Sequence, residues 1–112
     1  LGVSPENDTE GCLQDVHWSE GMFGYFPSYL LGHLISAQLT KTLEEDLGKI
    51  ENLIESTEIC KILGWLRKNV HHYGRSLDSE DLVRKVSGAK LSPTYFLEYV
   101  DNKLEMLSTI SE

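Results

Sequence analysis

The run Pro27-Ser28-Tyr29-Leu30-Leu31-Gly32-His33-Leu34-Ile35-Ser36-Ala37-Gln38-Leu39-Thr40-Lys41-Thr42-Leu43-Glu44-Glu45-Asp46-Leu47-Gly48 decides the fold class. Its apolar positions, Leu30, Leu31, Leu34, Ile35, Leu39, Leu43 and Leu47, recur at steps of three and four, the spacing that lines one face of an α-helix. Pro27 suits the first turn, where a missing N–H costs nothing, and Gly48 suits the C-terminal stop.

Downstream the pattern repeats in shorter pieces. A short helical stretch over residues 50–54 is expected to lead into a helix capped by Thr57, with Glu58 in its first turn. That helix carries Ile59, Ile62, Leu63, Leu66 and Val70 and ends at Gly74. Asp78 or Ser79 caps the next, which holds Leu82, Val83 and Val86 and stops at Gly88. Ser92 as cap and Pro93 at the first helical position open the last, with Phe96, Leu97, Val100, Leu104 and Leu107 on one face. No Asn-Gly or Asp-Gly hairpin turn and no sustained alternation point to strands. The fold class is therefore all-α.

Upstream of Pro27 the texture differs. Residues 1–24 hold Gly2, Pro5, Gly11, Gly21 and Gly24 among Asn, Asp, Ser and Thr, and read as an ordered loop with a short helix near residues 10–17. Charge follows the same division. Residues 1–40 carry five acids and no Lys or Arg, whereas residues 41–112 carry thirteen acids and all ten bases. The whole 112-residue chain has a formal charge of −8, the wrong sign for phosphate backbones or anionic lipid, so it is expected to engage neither nucleic acid nor membrane. No apolar run reaches spanning length, and Cys12 and Cys60 lie far apart without a Cys-x-x-Cys spacing. Two reduced thiols in a cytoplasmic protein are expected, with Cys12 a small buried hydrophobe.

Chemistry concentrates at one place. Gly11-Cys12-Leu13-Gln14-Asp15-Val16-His17-Trp18-Ser19, followed by Gly24-Tyr25-Phe26-Pro27-Ser28-Tyr29, gathers an amide, a carboxylate, an imidazole, an indole and two phenols in a glycine-rich segment. Asp15 could orient His17, and His17 with a tyrosine hydroxyl could donate to an oxygen that becomes negative in a transition state. The competing reading is a hydrogen-bonded loop anchored in the core by Trp18 and Phe26. The other histidines offer less. His71 and His72 are adjacent, so they diverge on a helix and lack the i, i+4 convergence a zinc site needs; they suit a helix C-terminus instead. His33 lies within the long helix, where a hydrogen-bonded packing role is expected. No Gly-x-Ser-x-Gly and no phosphate-cradling glycine loop is present.

Gly11-x-x-Gln14-Asp15-x-His17-Trp18 resembles the Gly-x-x-Gln-Asp-x-His-Trp signature of the carboxypeptidase Taq family, thermostable metallocarboxypeptidases with a His-Glu-x-x-His motif. Gly24-Tyr25-Phe26-Pro27-x-Tyr29-x-Leu31-Gly32 and Ala37-Gln38 are similar to the family's next segment. Trp65-Leu66-Arg67-x-Asn69-Val70-His71, Gly74 and Leu91-Ser92-Pro93-x-Tyr95-Phe96-Leu97-x-Tyr99 resemble its C-terminal helices, in the same order. The resemblance implies the helical C-terminal portion of a larger, mostly helical metallopeptidase, with residues 1–24 as an active-site loop region and 25–112 as a helical body. Family members release single amino acids from peptide C-termini with zinc or a similar divalent ion, and are often homodimers. Their metal-binding His-Glu-x-x-His is absent from this sequence, so this chain's own residues are expected to bind no metal and to be inactive alone. By the same resemblance His17 and a tyrosine, Tyr29 ahead of Tyr25, would stabilise the oxyanion, while Gln14, Asp15 and Trp18 would bind or position substrate. The partners implied are the remainder of the parent enzyme and a peptide.

Two further expectations stand beside this one. The chain starts at Leu1 rather than Met, which fits a processed form or a piece of a longer protein. A non-catalytic α-helical interaction module is the alternative function. Helix faces that evolved against absent neighbours should leave an exposed apolar patch or self-associate.

Overall fold

In the computed structural model, which describes residues 2–110, six α-helices follow one another: α1 Val16–Ser19, α2 Phe26–Leu47, α3 Ile50–Glu55, α4 Ile59–Asn69, α5 Ser79–Ser87 and α6 Thr94–Ile110. Short 3-10 turns occupy Cys12–Gln14 and His71–Tyr73, and no strand occurs among the described residues. The chain forms two compact units, one ending at Leu31 and one beginning at Gly32.

The boundaries follow from local chemistry. Helix α2 ends where Gly48 takes φ 89°, a left-handed conformation that side chains resist. Asp78 caps α5 by accepting the Asp81 N–H at 2.8 Å, and Gly88 closes it at φ 73°. Ser92 Oγ accepts the Thr94 N–H at 3.2 Å at the start of α6. The expected cap at Thr57 is a correction. Thr57 itself sits at φ 59° and turns its hydroxyl back to the Ser56 carbonyl, so Glu58 takes the cap position of α4, without a side-chain bond. The chain reverses so tightly after α3 that Thr57 is used up in the turn. A second correction concerns residues 10–17, whose expected helix is instead the Cys12–Gln14 turn followed by α1.

In the unit from Gly32 onward, the buried apolar residues are Leu43, Leu53, Trp65 and Val83; each such burial contributes about 1.5–3 kcal/mol. Trp65 anchors α4 to α2 through Nε1–H donated to Asp46 Oδ2 at 2.6 Å, which satisfies the one polar atom its ring carries inside. Gln38 is fully buried, with 0% exposure. Its amide donates to Ser87 Oγ at 2.8 Å and to the Lys90 carbonyl at 3.2 Å, and its Oε1 accepts the Ser92 N–H at 3.1 Å. One side chain of α2 thereby ties down the end of α5 and the entrance to α6, whose backbone groups would otherwise be buried unpaired.

Much apolar surface is left uncovered. Leu97, Tyr99, Leu104, Met106 and Leu107 of α6 are all more than half exposed, and Ile59 of α4 is likewise. Two smaller expectations are corrected. Cys12 is exposed rather than buried, as is Cys60. His33 is also exposed, with its ring 6.1 Å from that of Phe96 at the surface of α2. No helix among the described residues is long and apolar enough to cross a membrane.

Candidate active site

The first unit organises itself around His17. Space sets its start: a Cβ at Gly11 would come within 2.9 Å of Pro5 Cγ, so the turn that leads into the Cys12–Gln14 segment passes under the proline ring only as glycine. Asp15 follows in extended conformation and caps the four-residue helix α1. Its Oδ1 accepts the His17 backbone N–H at 3.0 Å and faces His17 Nδ1 at 2.6 Å. The Asp-x-His spacing makes this possible, because the cap carboxylate lies over the amide two residues ahead and the side chain of that same residue folds back to it.

Asp15 is correspondingly perturbed. The bond from the His17 backbone N–H, and then the imidazole's own bond and charge, hold its carboxyl below the ordinary value of 3.8. An ionised carboxylate only accepts, so the ring proton facing it resides on Nδ1. That leaves Nε2 as the outward atom, and Nε2 lies 3.2 Å from the Tyr29 hydroxyl.

Rings enclose the imidazole on its remaining sides. Tyr25 stacks at 5.4 Å between centroids, Phe26 tilts against it at 5.0 Å, and Tyr29 presents an edge at 5.8 Å. Asp15 and His17 are the most shielded of the group, with 22% and 17% side-chain exposure. The other residues singled out from the sequence stand apart from this cluster. Gln14 turns its amide to the Thr9 carbonyl at 2.6 Å, within the loop. Trp18 packs on Phe23 at 5.2 Å and is 45% exposed, and Phe26 is 51% exposed; neither is buried within this chain. What the arrangement can do follows from the donors. In a neutral ring Nε2 accepts from the Tyr29 hydroxyl; in a protonated ring it donates, and Nε2–H and the phenol can then both point at one oxygen that gains charge.

Helices throughout, and a carboxylate, imidazole and phenol joined in series, define an all-α protein with acid–base equipment in its opening segment. The model of the carboxypeptidase Taq (M32) metallopeptidases matches residues 1–104, and the chain belongs to that family. It is 42% identical over 107 residues to Carboxypeptidase 1 of Bacillus subtilis, covering 96% of this chain and 21% of that protein. It is 39% identical over 107 residues to Thermostable carboxypeptidase 1 of Thermus thermophilus, again 96% and 21%. Among solved structures, "BsuCP Crystal Structure" superposes with a TM-score of 0.83 at 42% identity, over 96% of this chain and 22% of that one. "The Structure of CHT" gives 0.84 at 43%, over 92% and 21%. The chain thus spans about a fifth of the length of the curated relatives it matches.

The family's description implies a metal, and the residues at hand do not fit one. Among the described residues no group of three or more His, Cys, Asp or Glu converges, and His17 engages both ring nitrogens with Asp15 and Tyr29.

Proposed function

We propose that this chain is the C-terminal part of a metal-dependent carboxypeptidase that releases single amino acids from peptide C-termini, and that it contributes His17 and Tyr29 as oxyanion donors. One observation carries the reading: His17 is fixed by Asp15 at Nδ1 and meets the Tyr29 hydroxyl at Nε2, 3.2 Å away. Attack on a scissile carbonyl places negative charge on its oxygen, and two preoriented donors at that point favour the transition state over the ground state. Asp15 acts through His17 by fixing its direction, and His17 donates in this reading as the protonated ring, which carries a proton on Nε2 as well as on Nδ1. In this reading Gln14 and Trp18 bind substrate and take no part in oxyanion stabilisation. The remainder of the parent enzyme is the partner in this reading: it supplies the zinc or similar divalent ion, and the whole works as a homodimer. Exposed, unpaired Cys12 and Cys60 support a reducing, cytoplasmic setting.

His17→Ala in the full-length enzyme tests the reading. Peptide turnover is expected to fall about 10²–10³-fold, the usual cost of one lost oxyanion donor, with the metal content unchanged. Near-normal turnover would remove His17 from the mechanism.

A second reading, a non-catalytic α-helical interaction module, draws on the exposed apolar side chains of α6. It requires that the native reading frame open at this segment and that the product bind a protein partner.

A further inference from the structure

Tyr25 stands against both members of the donor pair. Its ring lies 5.4 Å from that of His17, with 22° between the planes, and 5.3 Å from that of Tyr29, edge on at 79°. The two tyrosines rise from one turn. The Tyr25 carbonyl accepts the Ser28 N–H at 3.0 Å, which makes Tyr25 the residue from which α2 starts, and a spacing of four puts both phenols on the same side. Their hydroxyls differ. That of Tyr29 reaches Nε2, whereas that of Tyr25 makes no hydrogen bond among the described residues.

We infer that Tyr25 is a positioning residue for this reaction: its ring, and not its hydroxyl, holds the His17 imidazole and the Tyr29 phenol in the orientation in which they donate together. The inference rests on the donor-pair reading above and divides the work between the two tyrosines. A bond from Nδ1 to Asp15 fixes where the imidazole points and leaves its plane free to swing about that bond. A stacked ring on one face removes the swing. The edge-to-face contact with Tyr29 carries the same restraint to the phenol, since offset and T-shaped aromatic pairs at these separations have a preferred geometry. Phe26 lies nearer the imidazole, at 5.0 Å, but meets Tyr29 only at 6.4 Å, whereas Tyr25 stands within 5.4 Å of both donors.

The test compares Tyr25→Phe with Tyr25→Leu in the full-length enzyme. Tyr25 is 43% exposed, so neither change empties a core. Tyr25→Phe keeps the ring and is expected to hold kcat within about threefold of the parent, while Tyr25→Leu lowers kcat about tenfold with KM little changed. If Tyr25→Phe falls as far as Tyr25→Leu, the hydroxyl itself reacts or binds and the inference is overturned. Wild-type kcat in Tyr25→Leu overturns it equally. His17→Ala run beside them separates this outcome from failure of the underlying reading. If His17→Ala retained full turnover, the donor pair would fall, and the contact would then be decided by the imidazole proton resonances of His17. Tyr25→Leu should shift them through the lost ring current and Tyr25→Phe should not; resonances unchanged in both variants would refute the placement.

Discussion

The unit ending at Leu31 and the unit beginning at Gly32 are built by different physics. No described residue of the first is buried, and its shape comes from short-range bonds, such as the Asp15 cap on His17, and from rings set against one another. The second buries Gln38, Leu43, Leu53, Trp65 and Val83 and takes its order from contacts between residues far apart in sequence. Substitution in the first unit is therefore expected to cost little stability, and substitution of the buried residues of the second to cost much.

That contrast can be broken from either side. The largest effect is expected at Trp65→Ala, which empties a buried site and orphans Asp46 Oδ2. Denaturant unfolding of the enzyme should show about 3–5 kcal/mol lost. A change below about 1 kcal/mol would mean that burial does not govern the second unit. Next comes Gln38→Ala. It leaves the Ser92 N–H and the Lys90 carbonyl without their partner, at about 1–3 kcal/mol by the same measurement.

The smallest effect concerns acid. Because the Asp15 carboxyl is held below 3.8 in the folded chain, its contribution is complete above the unfolded value and is lost as the pH falls through the lowered folded one. The difference in thermal midpoint between the parent and Asp15→Asn should therefore be present near neutral pH and shrink only below pH 3.8. A difference that grows on acidification would reverse the sign.

What the sequence discloses divides along the same line. Helix α2 is legible because leucine and isoleucine recur at steps of three and four and Gly48 ends it. The caps at Asp78 and Gly88 are legible because each acts within a turn of its own residue. Gln38 is not. A polar residue among Leu34, Ile35 and Leu39 looks like an interruption of the face until Ser87, Lys90 and Ser92 are brought to it from about fifty positions away. The pairing of Trp65 with Asp46 is hidden for the same reason. Thr57 misleads because a good capping side chain says nothing of the left-handed turn its backbone must make.

At the site, Asp15 and His17 are legible from their spacing of two, which is local. The choice between Tyr25 and Tyr29 is not, since both lie on one side of the helix start and only the reach of the hydroxyl to Nε2 separates them. The identity of the family is legible from the Gly11–Trp18 signature, and the match over residues 1–104 bears it out. Exposure of Cys12 and of Phe26 runs against expectation because apolar character predicts burial only where a neighbouring element is present to cover it.

Tyr29→Phe in the full-length enzyme tests the central claim most directly, since it removes one oxygen from the pair and leaves every ring contact in place. The account predicts a fall of about 10²–10³-fold in kcat for a peptide substrate with an unchanged unfolding midpoint. A kcat within about threefold of the parent would contradict it and withdraw Tyr29 from the reaction.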